Sequence, residues 1–187
     1  HALVDACVRE GFQVLVAAPS GERSWIGRAF SRHREVTLAA YPGLGEEAWS
    51  IDGTPSDCVN IALGHLLGRK PDVVLSGINI GFNATMPLCL SSGTLAGATE
   101  GAAWGIPAVA CSLDLEQAIF ERVHRTSAEC PPELRPHLEA ACRHAARHRA
   151  AVQMPQVVML QAVAKACNVA VLAHGLMAGQ DAAQVFA

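Results

Sequence analysis

Pro71 to Thr94 reads PDVVLSGINIGFNATMPLCLSSGT. Two amide side chains, Asn79 and Asn83, stand four residues apart just after an apolar run, and Ser92, Gly93 and Thr94 then open a series of small residues. A helix that starts there presents free backbone N–H groups, the positive end of its dipole and two hydroxyls, which together suit a phosphate. The glycines allow close backbone approach. A second polar, glycine-punctuated stretch, SGERSWIGRAFS, carries Ser24. Gly93, Gly97 and Gly101 also fit a small-residue face that lets a helix lie close to a sheet, and the two readings are compatible. No Walker loop or G-x-G-x-x-G occurs.

The elements that must position these groups follow from the apolar pattern. HALVDACVREG reads as the end of an amphipathic helix stopped by Gly11. FQVLVAAP, PDVVLSG and IPAVACSL read as buried strands, and SSGTLAGATEGAAWG as a helix beginning near Ser92. Thr54, Pro55 and Asp57 supply a cap, a first-turn proline and a dipole-matched acid for a further helix. EVTLAAY and AWSID read as a hairpin or an irregular excursion. A helical pattern runs from Pro131 with Leu134, Leu138, Ala141 and Ala145 as its stripe, and the Ala-rich tail after Met154 gives no assignment. Continuous apolar strands alternating with helices predict an α/β fold: a three-layer α/β/α, Rossmann-like, mostly parallel sheet. In such sheets ligands gather outside the carboxyl ends of the strands, where these polar loops fall.

Bulk properties set outer limits. The 187 residues suffice for one main domain with a sizeable core. A formal charge of −3 gives no footprint for a nucleic-acid duplex, and no apolar run is long enough to span a bilayer. Seven scattered cysteines without a C-x-x-C pair indicate neither a zinc site nor a disulfide framework and suit a reducing, cytoplasmic setting. The chain begins at His1 within a helical pattern, which reads as a fragment.

The stretches VAAPSGERSWIG, DGTPSDCVNIAL, PDVVLSGINIGFN and SSGTLAGATEGAAWGIPAVACSL, in that order, resemble the SurE (survival protein E) family of metal-dependent nucleotidases. The resemblance covers roughly residues 12–113. It implies hydrolysis of nucleoside monophosphates with a divalent ion, Mn²⁺ or Mg²⁺, in a homodimer or homotetramer. It implies metal ligation by Ser24 and Asn79 and phosphate binding by Asn83, Ser92, Gly93 and Thr94. Trp25 and Phe82, beside those positions, could wall a base pocket by stacking. Residues 1–150 would form the nucleotidase domain without its first strand, and 151–187 a C-terminal segment without assignment. The family's Asn-Asp-Asp-Gly motif, whose paired Asp side chains hold the metal, would lie upstream of His1. A hard dication wants charged oxygen ligands, so this stretch alone is expected to bind metal weakly and catalyse poorly. The connection ATMPLCLS replaces the family's usual acidic residues, leaving substrate preference open. Two other readings remain: a broader phosphatase or exopolyphosphatase, and a non-catalytic nucleotide-binding module.

Other polar residues take structural readings. Asp57 is explained by capping, Asp114 by a loop position and Glu100, inside the glycine-rich helix, by a structural hydrogen bond. His137, His144 and His148 share a helix face with neighbouring arginines, which reads as a solvated basic surface. His65 reads as a partly buried histidine.

Overall fold

The computed structural model describes residues 2–44, 47–125, 135–148, 157–163 and 172–175. Helix α1 (Ala2–Arg9) ends at Gly11, which takes the predicted left-handed conformation at φ +83°. Of the apolar run that follows, only β1 (Val16–Pro19) pairs as a strand. Strands β2 (Leu38–Ala40) and β3 (Ala48–Ile51) pair antiparallel, the hairpin of the two alternatives left open, and β3 also pairs in parallel with β1, giving the order β1-β3-β2.

Helix α2 (Pro55–Ile61) begins in a complete capping box. The Thr54 hydroxyl accepts from the Asp57 amide at 3.1 Å, and the Asp57 carboxylate accepts from the Thr54 amide at 2.8 Å. A wider π-helical turn, Ala62–Leu66, continues it. The second sheet contains β4 (Val74–Ile80), β5 (Ala108–Asp114), β6 (Val157–Val163) and β7 (Leu172–Gly175) in that order, the first three parallel and β7 antiparallel. β6 and β7 lie in the tail that the apolar pattern left unassigned, and β6 continues the sheet in full register with β5. The remaining helices are α3 (Met86–Ser91), α4 (Gly93–Ala103), α5 (Gln117–Arg125) and α6 (Arg135–His148). Within the stripe anticipated for α6, Ala141 is buried and Leu138 half-buried; Leu134 lies outside the described residues.

The layers follow from which faces meet. Leu3 of α1 packs with Val73, Leu75 and Ile78 around buried Val109 and Cys111 on one side of the second sheet, and α6 lies against α1 on that side. On the other side, Leu95 and Ala98 of α4 pack on Ala108 and Ala110 together with Val74, and α2 packs on α4. The α4 glycines do what small residues at that spacing should. A Cβ on Gly97 would come within 2.8 Å of the Ser76 hydroxyl, and one on Gly101 within 2.8 Å of Val74. Helix backbone therefore rests directly on β4.

Strand β4 does not stop at Ser-Gly as the composition suggests. It continues to Ile80 through a bulge: Ser76 pairs with Ala110, yet Asn79 pairs with Ser112, three residues answering two. Before the bulge, residues 74 and 76 face α4. Unbroken alternation would turn Asn79 to the α1 side; the extra residue keeps it on the α4 side. Gly77 makes this possible, with φ +128° and space that a Cβ would lose to the Cys111 carbonyl at 2.3 Å.

β1 and β4 are edge strands of their two sheets, and among the described residues no third strand joins them. Between them lies a cavity of about 670 Å³, lined by Leu3, Ala17, Cys58 and Leu75 and reaching Gly93 and Thr94 at one end.

Candidate functional site

The carboxyl edge gathers three segments. The first is the loop after β1, residues 20–31, which holds Ser24 and Trp25. It is anchored along its length. Arg23 donates to the Gly53 carbonyl at 3.2 Å and to the Asp52 carboxylate at 3.0 Å, and the Gly27 amide donates to the Ser91 carbonyl at 2.9 Å. Beyond it the Ala29 carbonyl accepts from the Thr54 hydroxyl at 2.7 Å, and the Ser31 amide donates to Asp57 at 3.2 Å. Arg34, with Arg23 beside it, holds the Asp52 carboxyl below its usual range. Ser24, at the exposed apex, donates to the Glu22 carboxylate at 2.6 Å. Trp25 sits in the left-handed region at φ +60° with 75% of its surface exposed.

The second segment is the amino terminus of α4. Ser92 is its cap: the hydroxyl accepts from the Leu95 amide at 3.2 Å, and the Ala96 amide reaches the Ser92 carbonyl at 3.0 Å. That leaves the amides of Gly93 and Thr94 as the open donors of the first turn. A Cβ on Gly93 would meet Pro55 at 2.8 Å and the Arg23 carbonyl at 3.7 Å. The starts of α2 and α4 and the Ser24 loop therefore touch at this glycine.

The third segment follows the bulge. Asn79 is half-buried in β4, a strand residue and not the loop residue expected, and its amide reaches only a long 3.5 Å contact with the Gly81 carbonyl. Asn83 is buried and donates to the Ser112 hydroxyl at 2.8 Å, while its carbonyl accepts from Cys89 at 2.9 Å. Phe82 between them is exposed. The stretch expected to be plain connection contains α3, whose proline falls in its first turn after Thr85.

Two pKa directions bear on chemistry here. Burial raises the Asp57 carboxyl, but donation from the Thr54 and Ser31 backbones outweighs it and the net shift is downward. Asp57 is a capping and loop-anchoring anion. Burial and the adjacent Asp57 charge push the Cys58 thiol up to about 12. Glu100 is buried and hydrogen-bonded to Asn60, matching its structural reading. His65, expected partly buried, is exposed in the π turn that continues α2. His137 is half-buried; the side chains of His144 and His148 lie outside those described.

Composition pointed to Ser24, Asn79 and the Ser92–Thr94 turn, and the fold places each at the carboxyl edge. It did not single out Glu22, Arg28 or Ser112. Glu22 has a local signal, a carboxylate two residues from Ser24, whereas the other two act through partners far along the chain. Among the described residues no three His, Cys, Asp or Glu side chains group to hold a metal. Ser24 and Asn79 offer neutral oxygens, so these residues alone do not fit a resident dication. No described helix is long and apolar enough to cross a membrane.

A family profile described as Survival protein SurE matches residues 1–174. The 5'-nucleotidase SurE of Pelotomaculum thermopropionicum is 43% identical over 110 residues, 58% of this chain and 42% of the relative. That of Solidesulfovibrio magneticus is 45% identical over 112 residues, 60% of this chain and 42% of the relative. The crystal structure of the SurE protein from Aquifex aeolicus superposes with a TM-score of 0.67 at 26% identity, over 87% of this chain and 59% of that one. The chain thus spans well under two thirds of the length of these relatives.

Proposed function

The chain belongs to the survival protein SurE family, and from that premise we propose that it supplies the phosphate-binding core of a phosphomonoesterase acting on nucleoside monophosphates. The observation that carries this reading is the Ser92-capped start of α4, whose open Gly93 and Thr94 amides lie where the starts of α2 and α4 meet the Ser24 loop. Those amides, the helix dipole and the Thr94 hydroxyl would receive phosphoryl oxygens and stabilise the charge that grows on them during transfer. Asn83, held by Ser112, would shape the cradle's far wall and offer its amide to the phosphate. Trp25 and Phe82 are exposed near the same edge and would stack on the base.

A divalent ion, Mn²⁺ or Mg²⁺, is part of the proposal only together with carboxylates beyond these residues. Ser24 and Asn79 would contribute oxygens to it, and its chemistry would be to polarise phosphate and activate water. The cavity between β1 and β4 supports such a supplement. It is lined by residues of both strands and of α1 and α2, and it reaches Gly93 and Thr94. A strand laid there from upstream of His1 would deliver an acidic pair to the carboxyl edge.

The test is phosphate release from nucleoside 5'- and 3'-monophosphates and polyphosphate, with Mn²⁺, with Mg²⁺ and after chelation. It compares this chain, a longer chain carrying its natural upstream segment, and Asn79→Ala in the longer chain; light scattering reads the proposed assembly of two or four copies. Metal-dependent release from nucleoside monophosphates, lost in Asn79→Ala, is expected. Faster release from polyphosphate would favour the broader phosphatase. Nucleotide binding without release in any chain would favour the non-catalytic module, which the neutral donor set of Ser24 and Asn79 keeps in view.

A further inference from the structure

Glu100 is a carboxylate with 3% of its surface exposed, seven residues beyond Gly93 in α4, or about 10 Å along the axis. A buried charge is costly unless paired, and nothing in the packing of α4 on β4 calls for one. Its partners explain it. Oε2 accepts from Asn60 at 3.1 Å, and Asn60 in turn accepts from the Trp104 indole at 2.6 Å. Oε1 forms an ion pair with the Arg28 Nε, out of line for a hydrogen bond. Arg28 is four residues beyond Ser24, half exposed, with its guanidinium 5.3 Å from the Phe30 ring centroid.

The other anchors of the 20–31 loop, at Arg23, Gly27, Ala29 and Ser31, attach it to the α2 start and to the end of α3. Arg28 alone among these contacts ties it by a side chain to α4, the helix whose first amides form the cradle. We propose that Glu100 is a positioning residue: through Arg28 it fixes the loop that carries Ser24 and Trp25 against the helix that binds phosphate. One helix then sets both ends of the ligand's environment, backbone amides at its start and a buried carboxylate two turns on. For the identity of the ligand this rests on the nucleotidase reading; for the loop it rests on the contacts alone.

The experiment uses this chain with Glu100→Gln, Arg28→Met and the double variant. Amide exchange is measured across the chain, and binding of inorganic phosphate and of a nucleoside monophosphate by calorimetry. Loss of one local tie predicts exchange of the 22–30 segment faster by about tenfold in each single variant, with the double variant no worse. Exchange in α4 and β5 and affinity for inorganic phosphate should change less than about threefold, because the cradle is backbone. The nucleoside monophosphate, which also meets the loop, should weaken by about tenfold. Exchange rising evenly through α4 and β5 would mean Glu100 only supports the fold and would overturn the proposal. So would a 22–30 segment that exchanges as before, or singles whose effects add. If the parent chain binds phosphate but no nucleotide, the nucleotide reading fails while the exchange data still decide the role of Glu100. Arg28→Met removes the same tie from the exposed side, so a poorly folding Glu100→Gln does not spare the idea.

Discussion

At the start of α4 the open amides of Gly93 and Thr94 come with the helix itself, oriented by a Ser92 cap and pressed close by glycine. Nearby, Ser24 and Asn79 have been brought to the same edge, one by a multiply anchored loop and the other by a strand bulge, yet they offer only neutral oxygens. In the proposed site the anion side would be backbone, finished once the helix forms. The cation side would be side chains on separate segments, and its charge would have to come from elsewhere. Backbone charge is inherited from secondary structure, while ligand charge has to be delivered by sequence.

The largest break in this contrast should come from Gly77→Ala, which strikes the cation side through its scaffold. The new methyl would lie 2.3 Å from the Cys111 carbonyl at a φ of +128°. A loss of about 3 kcal/mol or more is expected, seen as a melting temperature lower by roughly 10 °C. An unchanged melting curve would remove the account of how Asn79 is aimed.

Next comes the cradle. Gly93→Val puts a side chain where Pro55 already lies at 2.8 Å, and phosphate affinity should fall by about tenfold or more. Asn79→Ala should leave metal-free phosphate binding within about twofold. Equal losses in the two variants would mean that the sides are not separable.

Asp57 sharpens the comparison because it joins the α2 cap to the Ser24 loop. Asp57→Asn should cost about 2 kcal/mol at neutral pH, since amides of Thr54 and Ser31 lose a charged acceptor. The folded pKa lies below the ordinary 3.8, so the carboxylate stabilises the fold above that value and its contribution is lost as pH falls through the folded pKa. Urea titrations of both proteins should therefore converge in acid. Smallest of all, Cys58, with its thiol at about 12, should resist alkylation at pH 8, its thiolate fraction being on the order of 10⁻⁴, and should label more slowly than half-buried Cys89.

Features whose causes are local were legible in the sequence. Thr54 with Asp57 three residues on, Ser92 before a glycine, and glycines spaced by four each state their role within one or two helical turns. What was hidden depends on distant partners. The bulge that keeps β4 going past Ser-Gly is paid for by room at the Cys111 carbonyl on another strand, which no reading of PDVVLSGIN could reveal. Arg28 and Glu100 meet across most of a hundred residues. Helix α3 was hidden because MPLCLS is short and apolar without helical periodicity, and β6 because VVMLQAV is a continuous apolar run that suits a buried helix or a buried strand until β5 lies beside it.

The gap between β1 and β4 also has a colloidal consequence. Among the described residues no strand pairs with the cavity-facing edges of β1 and β4; an unpaired edge offers a main-chain ladder that any extended polypeptide can read, and proteins ordinarily blunt such edges with charge or proline. Apart from Pro19, at the end of β1, these two strands offer neither, being Val-Ala-Ala-Pro and Val-Leu-Ser-Gly-Ile-Asn-Ile. Handled alone and concentrated, the chain should grow cloudy and β-rich by joining edge to edge, and a strand seated in the gap would keep it clear.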